Sequence, residues 1–300
     1  MNRATSTLDV ALKKYGAPVY VYHEIVHNKW VVNHFCQRGA VFINSLDEAP
    51  DGSVLLFSAH GVSPEIKNRA KEKNLRCIDA SCPLVQKVHR EVKRFVEQGY
   101  EVVLIGRPHH DEVVGVQGEA PNNIYVVNTK NDIDSLPLTP EQKVAYVTQT
   151  TLSLDEAATT IEYLKLKFPK IVGPSTKDIC YATQNRQKAI KTIAQEYSCQ
   201  KENVSVKAIV IGSANSSNSI RLKEIAMLES IPAFLVDGAE DINATDFVNT
   251  DVVLLTAGAS AHEIVVQQVV EYFRKNFNAQ IDEVRICEEN ATFQLPEAFC

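Results

Sequence analysis

The stretch "VVLIGRPHHDE", residues 102–112, runs an unbroken apolar segment into a glycine, a proline, two histidines and two acids. Five other segments read the same way: "VYVYHEIVHN" (19–28), "VLLFSAHGVS" (54–63), "VAYVTQTTLS" (144–153), "AIVIGSANSSNS" (208–219) and "VVLLTAGASA" (252–261). Near-continuous apolar runs are buried on both faces, which is the signature of parallel strands. Amphipathic stretches alternate with them: "PEIKNRAKEKN" (64–74), "CPLVQKVHREVKRFVEQG" (82–99), "SLDEAATTIEYLKLKF" (153–168), "NRQKAIKTIAQEY" (185–197) and "SAHEIVVQQVVEYFRKNF" (260–277). Several open on Ser or Pro, as helix capping requires. The pattern predicts an α/β chain of three units with small, mostly parallel sheets flanked by helices. Their predicted bounds are 1–82, 83–178 and 179–275, with 276–300 as a tail that packs back on the body.

Composition narrows the function. Hydrophobic residues make up 45% of the 300 and charged residues 23%, which is ordinary for a globular chain. The formal net charge is -6, and no Lys/Arg run exceeds two, so the basic stripe of a nucleic-acid binder is missing. No apolar run approaches the roughly 20 residues that span a bilayer. The start, "MNRATSTLDVALKKYG", has no apolar core of a signal peptide, so a cytoplasmic location is expected. Cys36, Cys77, Cys82, Cys180, Cys199, Cys287 and Cys300 form an odd, scattered set without a CxxC pair. That argues against a disulfide framework, a zinc ribbon and thioredoxin-like chemistry.

In open α/β sheets, ligands sit at the carboxyl ends of strands. Those ends carry His27, His60, His110, Glu112, Thr150, Ser216, Ser217, Asn218 and Ser260. If three units face one another, these residues converge on one central pocket. "GSANSSNSIRL" sets hydroxyls, an amide and free backbone N–H groups at a helix start, an anion site of the kind that holds phosphate. "TAGASA", with Ser260, repeats the arrangement. Glu112, read as a loop residue, is a candidate proton donor, because burial and nearby anions raise a carboxyl pKa. Gln149, Thr150 and Thr151 could orient a proton relay or simply cap a helix. His23 and His27 are spaced four apart but lack a third ligand in the zinc pattern.

Cys82 in "ASCPLVQKVH" and Cys180 in "DICYATQNRQ" occupy matching places: an apolar approach, a cysteine, then a helix. A helix N-terminus lowers a thiol pKa, and two such thiolates could hold an iron–sulfur cluster. A cysteine hydrolase using Cys82 with a histidine, or a non-catalytic phosphate binder, also fits some of these features. Neither explains why two cysteines hold equivalent positions in successive units.

The chain resembles the 4-hydroxy-3-methylbut-2-enyl diphosphate reductase family. The motifs that carry the resemblance fall in order: "YGAPVYVYHEIVHN", "FSAHGVS", "DASCPLVQKVH", "VTQTTLS", "FPKIVGPSTKDICYATQNRQ", "GSANSSNSIRL", "TAGASA" and "ENATFQLPE". The resemblance implies three pseudo-threefold-related α/β domains around a [4Fe–4S] cluster and substrate pocket. It implies an iron–sulfur oxidoreductase that reductively dehydroxylates an allylic diphosphate with electrons from a ferredoxin or flavodoxin. By motif, Cys82 and Cys180 match cluster ligands, and His27, His60 and His110 match substrate histidines. Ser216, Ser217, Asn218 and Ser260 match diphosphate-binding residues, Glu112 the acid that protonates the leaving hydroxyl, and Thr150 the hydroxyl contacting it. The family pattern opens with a strand and an "RGFCAGV"-type cysteine loop just before the "NRA" that follows Met1. This sequence starts after that loop, so the expectation is a truncated, oxygen-sensitive and poorly active reductase. The alternative is a cluster-poor relative that binds a small diphosphate without reducing it. Cys36, on a helix-like stretch, and Cys77, read on a buried strand, are not expected to replace the missing cysteine.

Overall fold

The computed structural model describes residues 2–174, 178–200, 204–286 and 293–296. Cys287, Cys300, the side chain of Cys199 and most of "ENATFQLPE" lie outside them. The described residues fall into two compact units, one holding 2–26, 35–180 and 293–296, the other 27–34 and 181–286.

The first unit carries two sheets. Its chain runs through α1 (Asn2–Tyr15), β1 (Val19–Tyr22), α2 (Lys29–Cys36, whose first residues belong to the second unit), β2 (Ala40–Ile43), β3 (Val54–Phe57), α3 (Pro64–Glu72) and β4 (Arg76–Asp79). The four strands are parallel in the order β2-β1-β3-β4, with Val21 opposite both Phe42 and Leu56. Helix α4 (Pro83–Glu97) leads to β5 (Glu101–Ile105), α5 (Asp111–Gln117), β6 (Ile124–Val127), α6 (Lys130–Asp134), β7 (Val144–Thr148) and α7 (Leu154–Lys167). These three strands are parallel in the order β6-β5-β7. Strand β5 is sandwiched. Val88, Val92 and Phe95 of α4 pack with Val102 and Leu104, while Leu164 of α7 packs with Val103 and Ile105. Apolar residues on both faces explain the unbroken VVLI run, and each fully buried Val, Leu or Ile contributes about 1.5–3 kcal/mol.

The second unit repeats the plan with α8 (Tyr181–Gln200), β8 (Val206–Ile211), α9 (Ser217–Leu228), β9 (Ala233–Val236), β10 (Val252–Ala257) and α10 (Glu263–Phe277). Its strands are parallel in the order β10-β8-β9. Ile190 and Ala194 of α8 and Leu222 of α9 cover one face through Ala208 and Val210; Val265 and Phe273 of α10 cover the other through Ile209 and Ile211.

The α/β class and the three small parallel sheets match the sequence reading, and all six apolar runs are strands. Two placements differ. Glu112 stands in the first turn of α5, not in a loop, because His110 caps that helix two residues earlier. Cys77 lies on the edge strand β4 and is half-buried, since only one neighbouring strand covers it.

Candidate active site

In the first unit, the residues beyond β3, β5 and β7 form one polar cluster. His60 is buried three residues past β3, and its ring meets that of His110 edge-on at 5.8 Å. His110 is the N-cap of α5, and its Nδ1 accepts the Glu112 amide at 3.1 Å. Asp111 reaches two histidines, with Oδ1 2.8 Å from His23 Nδ1 and Oδ2 4.0 Å from His60 Nδ1. His23 and His109 both hold positive φ, at 59° and 65°, a conformation that costs a non-glycine residue energy and concentrates at working sites.

Glu112 is 2% exposed, so its carboxyl is out of bulk water. Thr150, two residues past β7, donates its amide to Oε1 at 2.7 Å and its hydroxyl to Oε2 at 2.9 Å. Gln149 beside it is fixed from both ends: its Oε1 accepts the Arg107 amide and its Nε2 donates to Thr151 Oγ1. Such fixing preorganises the loop.

The two cysteines are held in the same way. The Cys82 amide donates to the Ala59 carbonyl, two residues past β3, and the Cys180 amide to the Thr150 carbonyl, two residues past β7, each at 2.9 Å. Cys82 is the N-cap of α4 with Pro83 behind it, and Cys180 immediately precedes α8. The helix start does not leave Cys82 with a lowered pKa, as the sequence suggested. Burial pushes its thiol up, amide hydrogen bonds from Leu84 and Val85 offset only part of this, and the nearby Cys180 adds to the rise. Cys36 is exposed at the end of α2, and Cys77 sits on β4; neither follows a strand end.

In the second unit, Ser216 caps α9, and Ser217, Asn218 and Ser219 form its first turn. All four are buried. Ser216 Oγ accepts from the Ser219 amide at 3.3 Å and the Ser219 hydroxyl at 2.9 Å. The glycines that end β8 and β10 make room for this turn: a Cβ at Gly212 or Gly258 would stand 2.1 Å from Ser219 Oγ. Asn218 is 3% exposed, yet neither its Nδ2 nor its Oδ1 has a hydrogen-bond partner among the described residues. A buried amide left unpaired costs about 1–3 kcal/mol. The amides of the helix start favour an anion.

His27 belongs to this second unit. Its carbonyl accepts the Ser260 hydroxyl at 3.0 Å, and the Lys29 amide donates to Ser213 Oγ at 2.9 Å. Lys29 Nζ lies 2.7 Å from Asp237 Oδ2, and Asp237 also accepts from the Ser213 hydroxyl. The structure therefore groups His60, His110, Glu112, Thr150, Cys82 and Cys180 in the first unit, and His27, Ser216, Ser217, Asn218 and Ser260 in the second. The sequence reading missed Asp111 as the partner of His23 and His60. Lone acidic and basic residues carry no spacing signal when their partners lie far away in the chain.

The family model described as LytB protein matches residues 1–274. A curated 4-hydroxy-3-methylbut-2-enyl diphosphate reductase from Rhodopirellula baltica is 49% identical over 297 residues, covering 99% of this chain and 91% of the relative. The protein of the same name from Histophilus somni is 45% identical over 300 residues, covering 99% and 93%. Among solved structures, the E-1-hydroxy-2-methyl-but-2-enyl-4-diphosphate reductase from Plasmodium falciparum is similar with a TM-score of 0.94 at 38% identity, covering 99% of this chain and 92% of that one. A second, a (E)-4-hydroxy-3-methyl-but-2-enyl diphosphate reductase described as the terminal enzyme of the non-mevalonate pathway, gives a TM-score of 0.63 at 30% identity, covering 91% and 94%.

Proposed function

The chain belongs to the LytB protein family, and on that premise we propose that it performs the final step of the non-mevalonate isoprenoid pathway, reductive dehydroxylation of (E)-4-hydroxy-3-methylbut-2-enyl diphosphate. Two electrons and two protons enter, one carbon–oxygen bond breaks, and isopentenyl or dimethylallyl diphosphate leaves with one water. The observation that carries the residue assignment is the position of Thr150. It donates amide and hydroxyl to the buried Glu112 carboxyl, while its carbonyl accepts the Cys180 amide. One residue thus ties the candidate proton donor to a candidate iron ligand.

Ser216, Ser217 and Asn218 at the start of α9, together with Ser260, bind the diphosphate through neutral donors, and the Ser260 hydroxyl also bonds the His27 carbonyl. His60 and His110 orient the substrate, and Glu112 delivers a proton to the departing hydroxyl. A carboxyl shielded from water and aligned by Thr150 delivers that proton without prior reorganisation.

The cofactor in this reading is a [4Fe–4S] cluster. Two thiols in one unit, each behind a strand end and at the start of a helix, are a donor set that fits it. Cys82 and Cys180 would hold it, and when bound it supplies one-electron reduction and Lewis acidity. A ferredoxin or flavodoxin would deliver the electrons singly. The reading includes a cytoplasmic location; among the described residues, no helix is long and apolar enough to cross a membrane.

The test is anaerobic reconstitution with iron and sulfide of the chain alone and of the chain preceded by an "RGFCAGV"-type segment. Each is then mixed with substrate and a reduced viologen. The expected result is the two five-carbon diphosphates, formed by an iron-loaded form and formed far more slowly by its Glu112→Gln variant. Iron-loaded protein that leaves the substrate unchanged would overturn the reading.

A further inference from the structure

Lys87 and Asp178 form an ion pair inside the first unit that the chemistry above does not use. Lys87 Nζ stands 2.6 Å from Asp178 Oδ1, with the Asp178 side chain 0% exposed and that of Lys87 20%. The other carboxylate oxygen, Oδ2, accepts the Thr148 amide at the end of β7, at 3.1 Å. With its carboxylate fully buried the pair is little screened by salt, and Asp178 left alone would be an uncompensated buried charge.

Its place in the chain is what gives it meaning. Lys87 is on α4, the helix that begins at Cys82, and Asp178 lies two residues before Cys180. Cys82 is tied to the loop beyond β3 through Ala59, and Cys180 to the loop beyond β7 through Thr150. The Lys87–Asp178 pair joins these two anchored segments directly, helix to turn. An apolar contact there would fill space equally well, but it would tolerate sliding; a hydrogen-bonded ion pair fixes one relative placement.

We propose that Lys87 and Asp178 are positioning residues that set the approach of the Cys82 and Cys180 sulfurs, so that the two thiols can bind iron together. This rests on the reading of the two cysteines as iron ligands, and the test separates the two claims. The metal-free, reduced chain is titrated with phenylarsine oxide, which binds tightly only where two thiols can close on one arsenic with loss of water. Iron per chain is measured after reconstitution, and melting temperature is recorded for every variant.

Wild type is expected to capture one arsenical, lost in Cys82→Ser and in Cys180→Ser. Asp178→Asn and Lys87→Met should each weaken capture about tenfold or more, the usual effect of losing preorganisation in a two-point attachment, and iron content should fall with it. Lys87→Arg, which keeps the charge, should retain both. The neutral double variant Lys87→Met/Asp178→Asn removes both charges together and guards against simple misfolding; it should melt near wild type without recovering capture. Wild-type capture in that double variant would overturn the positioning role, as would wild-type chain that captures no arsenical at Cys82 and Cys180. Capture that depends on the pair, in a chain that holds no iron under any reconstitution, would leave the positioning of the thiols standing and overturn their reading as iron ligands.

Discussion

Thr150 grips Glu112 at both oxygens, its amide 2.7 Å from Oε1 and its hydroxyl 2.9 Å from Oε2, across 38 residues of chain. A carboxyl held this way can rotate little. Glu112→Gln keeps the shape and removes the acid. Turnover is expected to fall about 10²- to 10⁴-fold, the usual worth of a positioned acid, with melting temperature little changed. Thr150→Val, which keeps the amide bond and loses the hydroxyl, should cost less than Glu112→Gln. A steady-state assay on iron-loaded protein checks both, and full activity in Glu112→Gln would remove this residue from the mechanism.

Asn218 separates a binding role from a structural one. Its side-chain amide has no partner among the described residues although it is buried. Asn218→Ala should weaken binding of inorganic diphosphate about 10- to 100-fold, as expected for hydrogen bonds to a charged group. Without ligand, the variant should melt at or above the wild-type temperature, since two unpaired buried atoms are gone. Equilibrium dialysis and a thermal melt read the two effects; a variant that melts lower and binds diphosphate normally contradicts the assignment.

Gly258 tests the packing that shapes the same turn. Gly258→Ala would push a Cβ to 2.1 Å from Ser219 Oγ, and overpacking of this kind costs about 1–3 kcal/mol. Diphosphate affinity should fall as well, because Ser219 hydrogen-bonds the cap residue Ser216. In the double variant Gly258→Ala/Ser219→Ala the offending oxygen is gone, and denaturant unfolding should show stability largely restored.

Glu119 supplies a pH signature. Burial alone would raise its pKa, but hydrogen bonds from His89 and Lys93 outweigh it and hold the carboxyl below its ordinary 4.5. A depressed pKa means that the unfolded chain takes up this proton first as pH falls. The contribution is therefore complete above about pH 4.5 and lost as pH drops through the lower, folded value. Urea midpoints measured from pH 6 to pH 3, about the range over which a depressed carboxylate titrates, should fall less steeply in Glu119→Gln. Parallel curves would show that the group does not couple to folding.

How much of this was legible in the sequence depended on burial. The six apolar runs became β1, β3, β5, β7, β8 and β10, because residues such as Val102, Val103 and Leu104 are covered on both faces. Three strands the pattern did not mark, β2, β6 and β9, lie at sheet edges, as does β4, which the sequence marked only around Cys77. There, half-exposed positions such as Val41 and Tyr125 break the apolar run, so the strand signal fades. Glu112 was read in a loop because its helix is short and capped by a histidine, His110, which is not a usual capping residue.

The α/β class, the order of the elements, and which residues stand beyond strand ends all follow from local periodicity and turn chemistry. The sequence motifs also carried the family. Long-range packing brought the His27 carbonyl to the Ser260 hydroxyl, let Thr150 bond both Glu112 and the Cys180 segment, and paired Lys87 with Asp178 across 91 residues. It also decided that the Cys82 thiol is pushed up rather than down, because desolvation depends on what packs around a sulfur and not on the helix it begins. Periodicity reports which face of an element is buried; it carries no record of which distant side chain will meet it there.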